Sequence, residues 1–279
     1  MARPIPGPDP ASPGGGADAG ALLRTALEAA RLGGEILRRH LEGAPDLAVT
    51  EKGRNDYVTR ADRESEEAVV SLIRSRHPEH GFRAEESPAS PGTGAEWIID
   101  PLDGTTNFIH RYPFFATSVA VRAEGVLQAG AVYDPVRDEM FAAARGRGAT
   151  LNGSPIRVSG CPDLSGALLV TGFPFRSLAA LPRFLDSLER LIRASSGVRR
   201  DGSAALDCCY VACGRYDGFW ECALSAWDIA AGALIIREAG GVVTDFEGTD
   251  GFLDSGDIVA SSPGMHPAFL GEVRKAFRP

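Results

Sequence analysis

Asp100 and Asp103 flank a Pro-Leu pair in Trp97-Ile-Ile-Asp-Pro-Leu-Asp-Gly-Thr-Thr-Asn-Phe108. The apolar triplet Trp97 to Ile99 marks the end of a buried strand, so both carboxylates stand where a strand meets a turn. Carboxylate oxygens are ligands of the kind that hard cations such as Mg²⁺ prefer. Gly104 lets the backbone come close to a phosphate, and a helix beginning at Thr105 would aim unpaired amides at it. The segment therefore suits a cation held beside a phosphate. It equally suits an Asp-rich surface turn, because Asp, Pro and Gly are ordinary turn formers.

Three further segments place acids at predicted element ends: Asp62, the pair Glu85-Glu86, and Asp228 in Ser225-Ala-Trp-Asp228. Each has a structural alternative. Asp62 is expected to cap a helix, Asp228 to complement a helix dipole, and Glu85 and Glu86 to be solvated loop charges. Six acids at such positions favour one shared centre over six separate coincidences.

The elements that must hold these acids can be read from periodicity. Leu23, Leu27, Ala30, Leu37 and Leu41 predict a helix over 21–41, in which Gly33-Gly34 allows a close neighbour. A short strand at 56–59 precedes a helix begun by Asp62 and ended before Pro78. Strands are expected at 81–86, 97–100, 115–121, 126–133 and 139–143, the last three as an antiparallel meander. The second half alternates: strands at 167–171, 197–200, near Phe219 and near Ile258, with helices at 181–192, 203–213, 225–239 and from His266. Mixed sheets covered by helices follow.

The 279 residues suffice for one catalytic domain over 21–279, with halves at about 21–150 and 151–279. Residues 1–20, rich in Pro, Gly and Ala, read as a disordered tail. Acids outnumber bases 37 to 29, a net charge of −8, which argues against a nucleic-acid partner. No apolar run is long enough to span a membrane. The five cysteines show no C-x-x-C pair, so reduced thiols in the cytoplasm are expected. Cys209 and Cys213 would be small core residues on one helix face. His40 and His110 have no second histidine in ligand spacing and read as surface or packing residues.

From about Ala21 to the C-terminus, the chain resembles the inositol monophosphatase family of Mg²⁺-dependent, lithium-sensitive phosphatases, in its bacterial style. The 97–108 motif carries the resemblance together with Trp227-Asp-Ile-Ala-Ala-Gly-Ala-Leu-Ile-Ile-Arg-Glu-Ala-Gly-Gly241. Asn55-Asp-Tyr-Val-Thr-Arg-Ala-Asp62, Glu85-Glu86 and Arg200-Asp-Gly-Ser-Ala-Ala205 support it. The resemblance implies the layered αβαβα sandwich of the inositol monophosphatase and fructose-1,6-bisphosphatase superfamily, and a homodimer. It implies two to three Mg²⁺ ions: one on Glu85, Asp100 and the Leu102 carbonyl, one on Asp100, Asp103 and Asp228, and a weaker third near Glu85. Glu85, Thr105 and Asp62 would activate a water that attacks phosphorus directly. Asp103 with the Gly104 and Thr105 amides would hold the phosphate, and Ser203, Ala204 and Glu221 the sugar side. Two departures stand out. Ala84 replaces the usual glycine before the glutamate pair, and Cys222-Ala-Leu-Ser-Ala226 is an uncommon filling beside the substrate acid.

The expected activity is hydrolysis of a phosphate monoester, myo-inositol monophosphate foremost. Fructose 1,6-bisphosphate, histidinol phosphate and nucleotide 3′-phosphates are the alternatives within the superfamily. Thr106-Asn107-Phe108 then His110 suits the inositol type better than the Lys-Gly-Phe of nucleotide phosphatases. A non-catalytic regulatory protein on the same scaffold is the alternative from another class. An EF-hand is excluded by spacing, a phosphoaspartyl phosphatase by the absence of D-x-D-x-T, and a P-loop by the absence of its motif.

Overall fold

The computed structural model describes residues 18–43, 49–53 and 56–277. Residues 1–17 of the expected tail, and Asn55 of the Asn55–Asp62 motif, lie outside them. The first half runs α1 (Ala19–Gly43), β1 (Thr50–Gly53), β2 (Asp56–Val58), α2 (Arg60–Arg76), β3 (Gly81–Ala84), β4 (Glu96–Asp103), α3 (Thr105–Ile109), β5 (Ala116–Ala123), β6 (Val126–Asp134), β7 (Glu139–Ala144), β8 (Ala149–Leu151) and β9 (Ser154–Ile156). The second half runs β10 (Leu168–Thr171), α4 (Leu181–Ala194), β11 (Gly197–Arg199), α5 (Ala204–Ala212), β12 (Gly218–Glu221), α6 (Ala226–Glu238), β13 (Val242–Thr244), α7 (Phe252–Ser255), β14 (Ile258–Ser261) and α8 (His266–Phe277).

Strands β3 to β9 form a seven-stranded sheet in sequence order, and the second-half strands a five-stranded sheet in the order β11-β10-β12-β14-β13. Five layers result, α1 and α2, the large sheet, α5 and α6, the small sheet, then α4 and α8. Strand alternation assigns the faces. Trp97 and Ile99 of β4 pack with Leu22, Ala26, Val69 and Ile73 of the outer helices. Ile98 faces the other way, into the core shared with α5 and α6. Those two central helices are covered on both sides by sheets, which explains why Ala226–Glu238 is apolar nearly all round.

Glycines set the close approaches. A Cβ at Gly33 would lie 2.8 Å from the Ser65 hydroxyl of α2, so the Gly33-Gly34 pair admits both its helix neighbour and the sheet. A Cβ at Gly232 would overlap Cys208, so α6 approaches α5 only through glycine.

The sequence reading needs three corrections. Asp62 is not the N-cap of α2. Thr59, extended at φ −114° and ψ 173°, takes that place, with its hydroxyl accepting from Ala61 N. Asp62 sits one turn in and its Oδ2 returns to the Thr59 amide at 2.8 Å, completing a capping box. The helix at 21–41 runs instead from Ala19 to Gly43. The strands β1, β8, β9 and β13 and the single turn α7 are additional; three or four residues are too few to show a period.

Candidate active site

β4 does not end at Asp100 but continues to Asp103 through an irregularity. Asp100 pairs with Ser118 and Asp103 with Ala116, so three steps on β4 oppose two on β5. In a regular strand, residues three apart face opposite sides. The extra residue restores parity, and both carboxylates turn to one face. Buried hydrogen bonds hold the bulge: Leu102 N donates to Asp100 Oδ1 at 3.0 Å, and the Pro101 carbonyl accepts from Ser65 and Thr117 hydroxyls.

Asp228 arrives from the other half. It occupies the first turn of α6, where its Oδ2 accepts the Ser225 amide at 2.7 Å. Ligand atoms of Asp100, Asp103 and Asp228 all lie within 4.8 Å of one another, the one such group able to hold a metal ion among the described residues. Asp103 is seated by the second half as well: its Oδ2 accepts from Ala205 N at 2.8 Å and from the Ser203 hydroxyl, which also caps α5. Asn107 Nδ2 adds a further tie to the Asp201 carbonyl at 2.8 Å and the Phe114 carbonyl at 2.7 Å.

These carboxylates repel. Burial raises Asp100 well above the ordinary range, reinforced by the charges of Glu85, Asp103 and Asp228. Burial and the Asp228 charge push Asp103 up to about 7, despite the Ser203 and Ala205 hydrogen bonds that oppose the shift. Acids so disposed stay ionised near neutral pH when a cation stands among them. The donors are all hard oxygens, without imidazole or thiolate in the group, which fits Mg²⁺ chemistry.

Glu85 lies just past β3, where its carboxylate adjoins Asp100 and lies 3.6 Å from Arg176 Nη2. Glu86 N donates to buried Glu66. The Leu102 carbonyl accepts from the Thr105 hydroxyl at 3.1 Å, and the same hydroxyl lies 3.4 Å from Asp62 Oδ1. Burial lifts Asp62 to about 6, against the Thr59 hydrogen bonds that pull it down. Gly104, at φ 92° and ψ 36°, is left-handed and starts α3.

These residues border a cavity of about 530 Å³. Gly104, Thr105, Ser203, Ala204 and Glu221 line it, and Asp62 lies behind them within 3.4 Å of the Thr105 hydroxyl. Glu221 ends β12 on the small-sheet side; burial raises it to about 8, with the Arg200 charge opposing. His110, read as a packing residue, also lines the cavity. Cys209 is buried in the core as expected, whereas Cys213 is only partly buried at the end of α5.

Sequence reasoning missed the loop after β10. Phe173, Phe175 and Arg176 line the cavity, and Arg200 stacks over both rings at 5.1 and 5.3 Å. Gly172 lies against Glu221 so closely that a Cβ there would overlap the carboxylate. No motif marks Gly172, Phe173, Phe175 or Arg176, since only the crossing of β10 beside β12 brings them to Glu221. In the uncommon filling at 222–226, Ala223 adopts φ 60°, a left-handed conformation costly for any residue but glycine.

A layered α/β fold that gathers buried carboxylates from both halves beside one cavity has the make-up of a metal-dependent enzyme site. The chain belongs to the inositol monophosphatase family, whose sequence model matches residues 18–277. It is 47% identical over 264 residues to a Nus factor SuhB from Pseudomonas aeruginosa, covering 92% of this chain and 97% of that one. The Escherichia coli K12 protein of the same designation is 44% identical, covering 91% and 96%. Among solved structures, the extragenic suppressor protein SuhB of Bartonella henselae superposes with a TM-score of 0.88 at 40% identity, covering 91% and 99%. The inositol monophosphatase of Anabaena gives 0.82 at 39%, covering 93% and 97%.

Proposed function

We propose that the chain is a Mg²⁺-dependent phosphatase that hydrolyses myo-inositol monophosphate to inositol and phosphate by direct attack of water. The observation that carries this reading is the meeting of Asp100, Asp103 and Asp228 within 4.8 Å, at a cavity that Glu221 also lines. In this reading Glu85, Asp100, the Leu102 carbonyl, Asp103 and Asp228 hold two to three ions. Bound Mg²⁺ there would polarise the phosphate, acidify water and offset the charge of the leaving oxygen.

The chain's own groups do the rest. The Thr105 hydroxyl accepts a hydrogen from water only while donating its own, and Asp62 and the Leu102 carbonyl are the acceptors within reach. A carboxyl lifted to about 6 is matched to proton movement near neutral pH. Glu85 orients the same water from the opposite side. The Gly104 and Thr105 amides take the phosphate oxygens, and Glu221, with Ser203 and Ala204, receives the sugar hydroxyls. The leaving alkoxide would take up a proton as the P–O bond breaks, its charge offset by the cations that Asp100, Asp103 and Asp228 would hold.

Support for phosphate monoesters comes from the family. Support for a polyol comes from Glu221, an acceptor for hydroxyls in the cavity lining. Phosphate release from a panel of monoesters, with Mg²⁺ and with EDTA, tests it; fructose 1,6-bisphosphate, histidinol phosphate or a nucleotide 3′-phosphate as best substrate would replace inositol phosphate. Oxygen-18 water with trapping tests direct attack, and recovery of a phosphorylated side chain would sink it. Inhibition by Li⁺, and a dimer in light scattering, are expected on the same footing. A reducing cytoplasmic setting is consistent with five unpaired cysteines.

The designation of several relatives as Nus factors supports a second, non-catalytic role, and with it partners beyond small molecules. Retention of such a role by an Asp103→Asn chain that releases no phosphate would separate the two.

A further inference from the structure

One cation already sits among the acids. Arg176 lies on the loop between β10 and α4, its side chain 44% exposed, with Nη2 3.6 Å from Glu85 Oε1 and Nη1 3.6 Å from Asp228 Oδ2. One planar guanidinium thus spans two carboxylates from opposite halves of the molecule. Both separations are those of ion pairs, longer than the ~2.7–2.9 Å of a direct charge-assisted hydrogen bond. Glu85 and Asp228 are also the carboxylates that the phosphatase reading assigns to Mg²⁺. A guanidinium and a divalent ion drawn to the same two acids repel each other, and each weakens the hold of the other. Arg176 also lines the cavity that Gly104 and Thr105 enter. Its planar array of donors matches the oxygens of a phosphate, a geometry that lysine does not reproduce.

We propose, resting on the phosphatase reading, that Arg176 competes with the catalytic cation for Glu85 and Asp228 and, once displaced, turns its guanidinium to the phosphate of the substrate. The change is an exchange of ion pairs, with no covalent step. Removing the side chain therefore acts in opposite directions on two ligands. It relieves the cation of a competitor and deprives the phosphate of a partner. A residue that merely supported the loop would weaken both or neither.

The test is calorimetric titration of the full chain, first with MgCl₂ and then with inorganic phosphate in excess Mg²⁺, for the wild type, Arg176→Gln and Arg176→Lys. Arg176→Gln is expected to tighten Mg²⁺ about twofold to fivefold, the scale of partly exposed ion pairs. It is expected to weaken phosphate about tenfold, since charge-assisted bidentate contacts are the strong ones. Arg176→Lys, which keeps the charge but loses the fork, should leave Mg²⁺ affinity near wild type and still weaken phosphate. Unchanged melting temperatures certify the fold, as expected for a half-exposed side chain. Unchanged or weaker Mg²⁺ binding by Arg176→Gln, or unchanged phosphate binding, overturns this role alone. Failure of the wild type to bind Mg²⁺ overturns the phosphatase reading and this role together.

Discussion

The two sides of the cavity are built on different principles. On the β4 side, Asp100 and Asp103 are 1% and 8% exposed, and backbone amides and hydroxyls fix them in place. On the β10 side, Phe173, Phe175 and Arg176 lie on an irregular loop, at 39%, 43% and 44% exposure. A buried carboxylate is tolerated only where its geometry and its counter-charge are certain. An exposed loop carries no such demand and is open to change. The difference separates chemistry from recognition. The buried side should decide whether phosphate is released at all, and the exposed side which phosphate.

The hardest test of that division is Asp103→Asn. The amide still accepts from Ser203 and Ala205 N, so the fold should persist, but the site loses a charge. Turnover is expected to fall about 10²–10³-fold, or ~3–4 kcal/mol, the scale of losing one preorganised electrostatic partner. The fall should be equal for inositol 1-phosphate and p-nitrophenyl phosphate. A loss confined to one substrate would erase the distinction between the two sides.

The acids' shared burial gives the next effect. Asp103 at about 7 and Glu221 at about 8 have folded values above their unfolded ones near 4. Their contribution to stability is thus full below about pH 4 and is lost as pH rises through the folded values. In EDTA the melting temperature is expected to fall from about pH 5 to pH 8. Mg²⁺, which needs the ionised forms, should stabilise increasingly over that window. A flat profile in EDTA would show that the carboxylates do not share one buried field.

Changes on the recognition side should be smaller and selective. Glu221→Gln is expected to raise KM for inositol 1-phosphate about tenfold, or ~1.5 kcal/mol, the worth of hydrogen bonds to a charged acceptor. Hydrolysis of p-nitrophenyl phosphate should hold. Gly172→Ala, which forces the Glu221 carboxylate aside, should shift KM in the same direction by less. Ala223→Gly is expected to raise stability by about 0.5–1 kcal/mol, the left-handed strain relieved less the extra entropy of glycine. Chemical denaturation checks it, and no gain would mean that Ala223 is held without strain.

How much of this was legible beforehand differs from residue to residue. Asp100, Asp103, Asp228 and Glu85 were visible because each follows a local pattern, an apolar run or a helix start that ends in an acid. Asp62 was visible for the wrong local reason. The spacing Thr59-x-x-Asp62, repeated in Ser225-x-x-Asp228, is the signature of a capping box, and capping proved compatible with facing the site. In each case one oxygen is tied to backbone, which orients the carboxyl. Arg176 and Gly172 had no such signal. Their place depends on β10 lying beside β12, partners separated by about fifty residues and the three elements α4, β11 and α5.

Local order therefore determined the elements, the family and the acids, because a strand end, a helix cap and a glycine turn are set by residues within a few positions of one another. Folding alone decided the rest. The bulge that turns Asp103 to the face of Asp100 needs β5 as its ruler. The burial that lifts Asp103 and Glu221 needs both sheets closed over α5 and α6. The cation between Glu85 and Asp228 needs a loop from the second half to cross the first. Charges act through space, and only the tertiary structure says which of them are near.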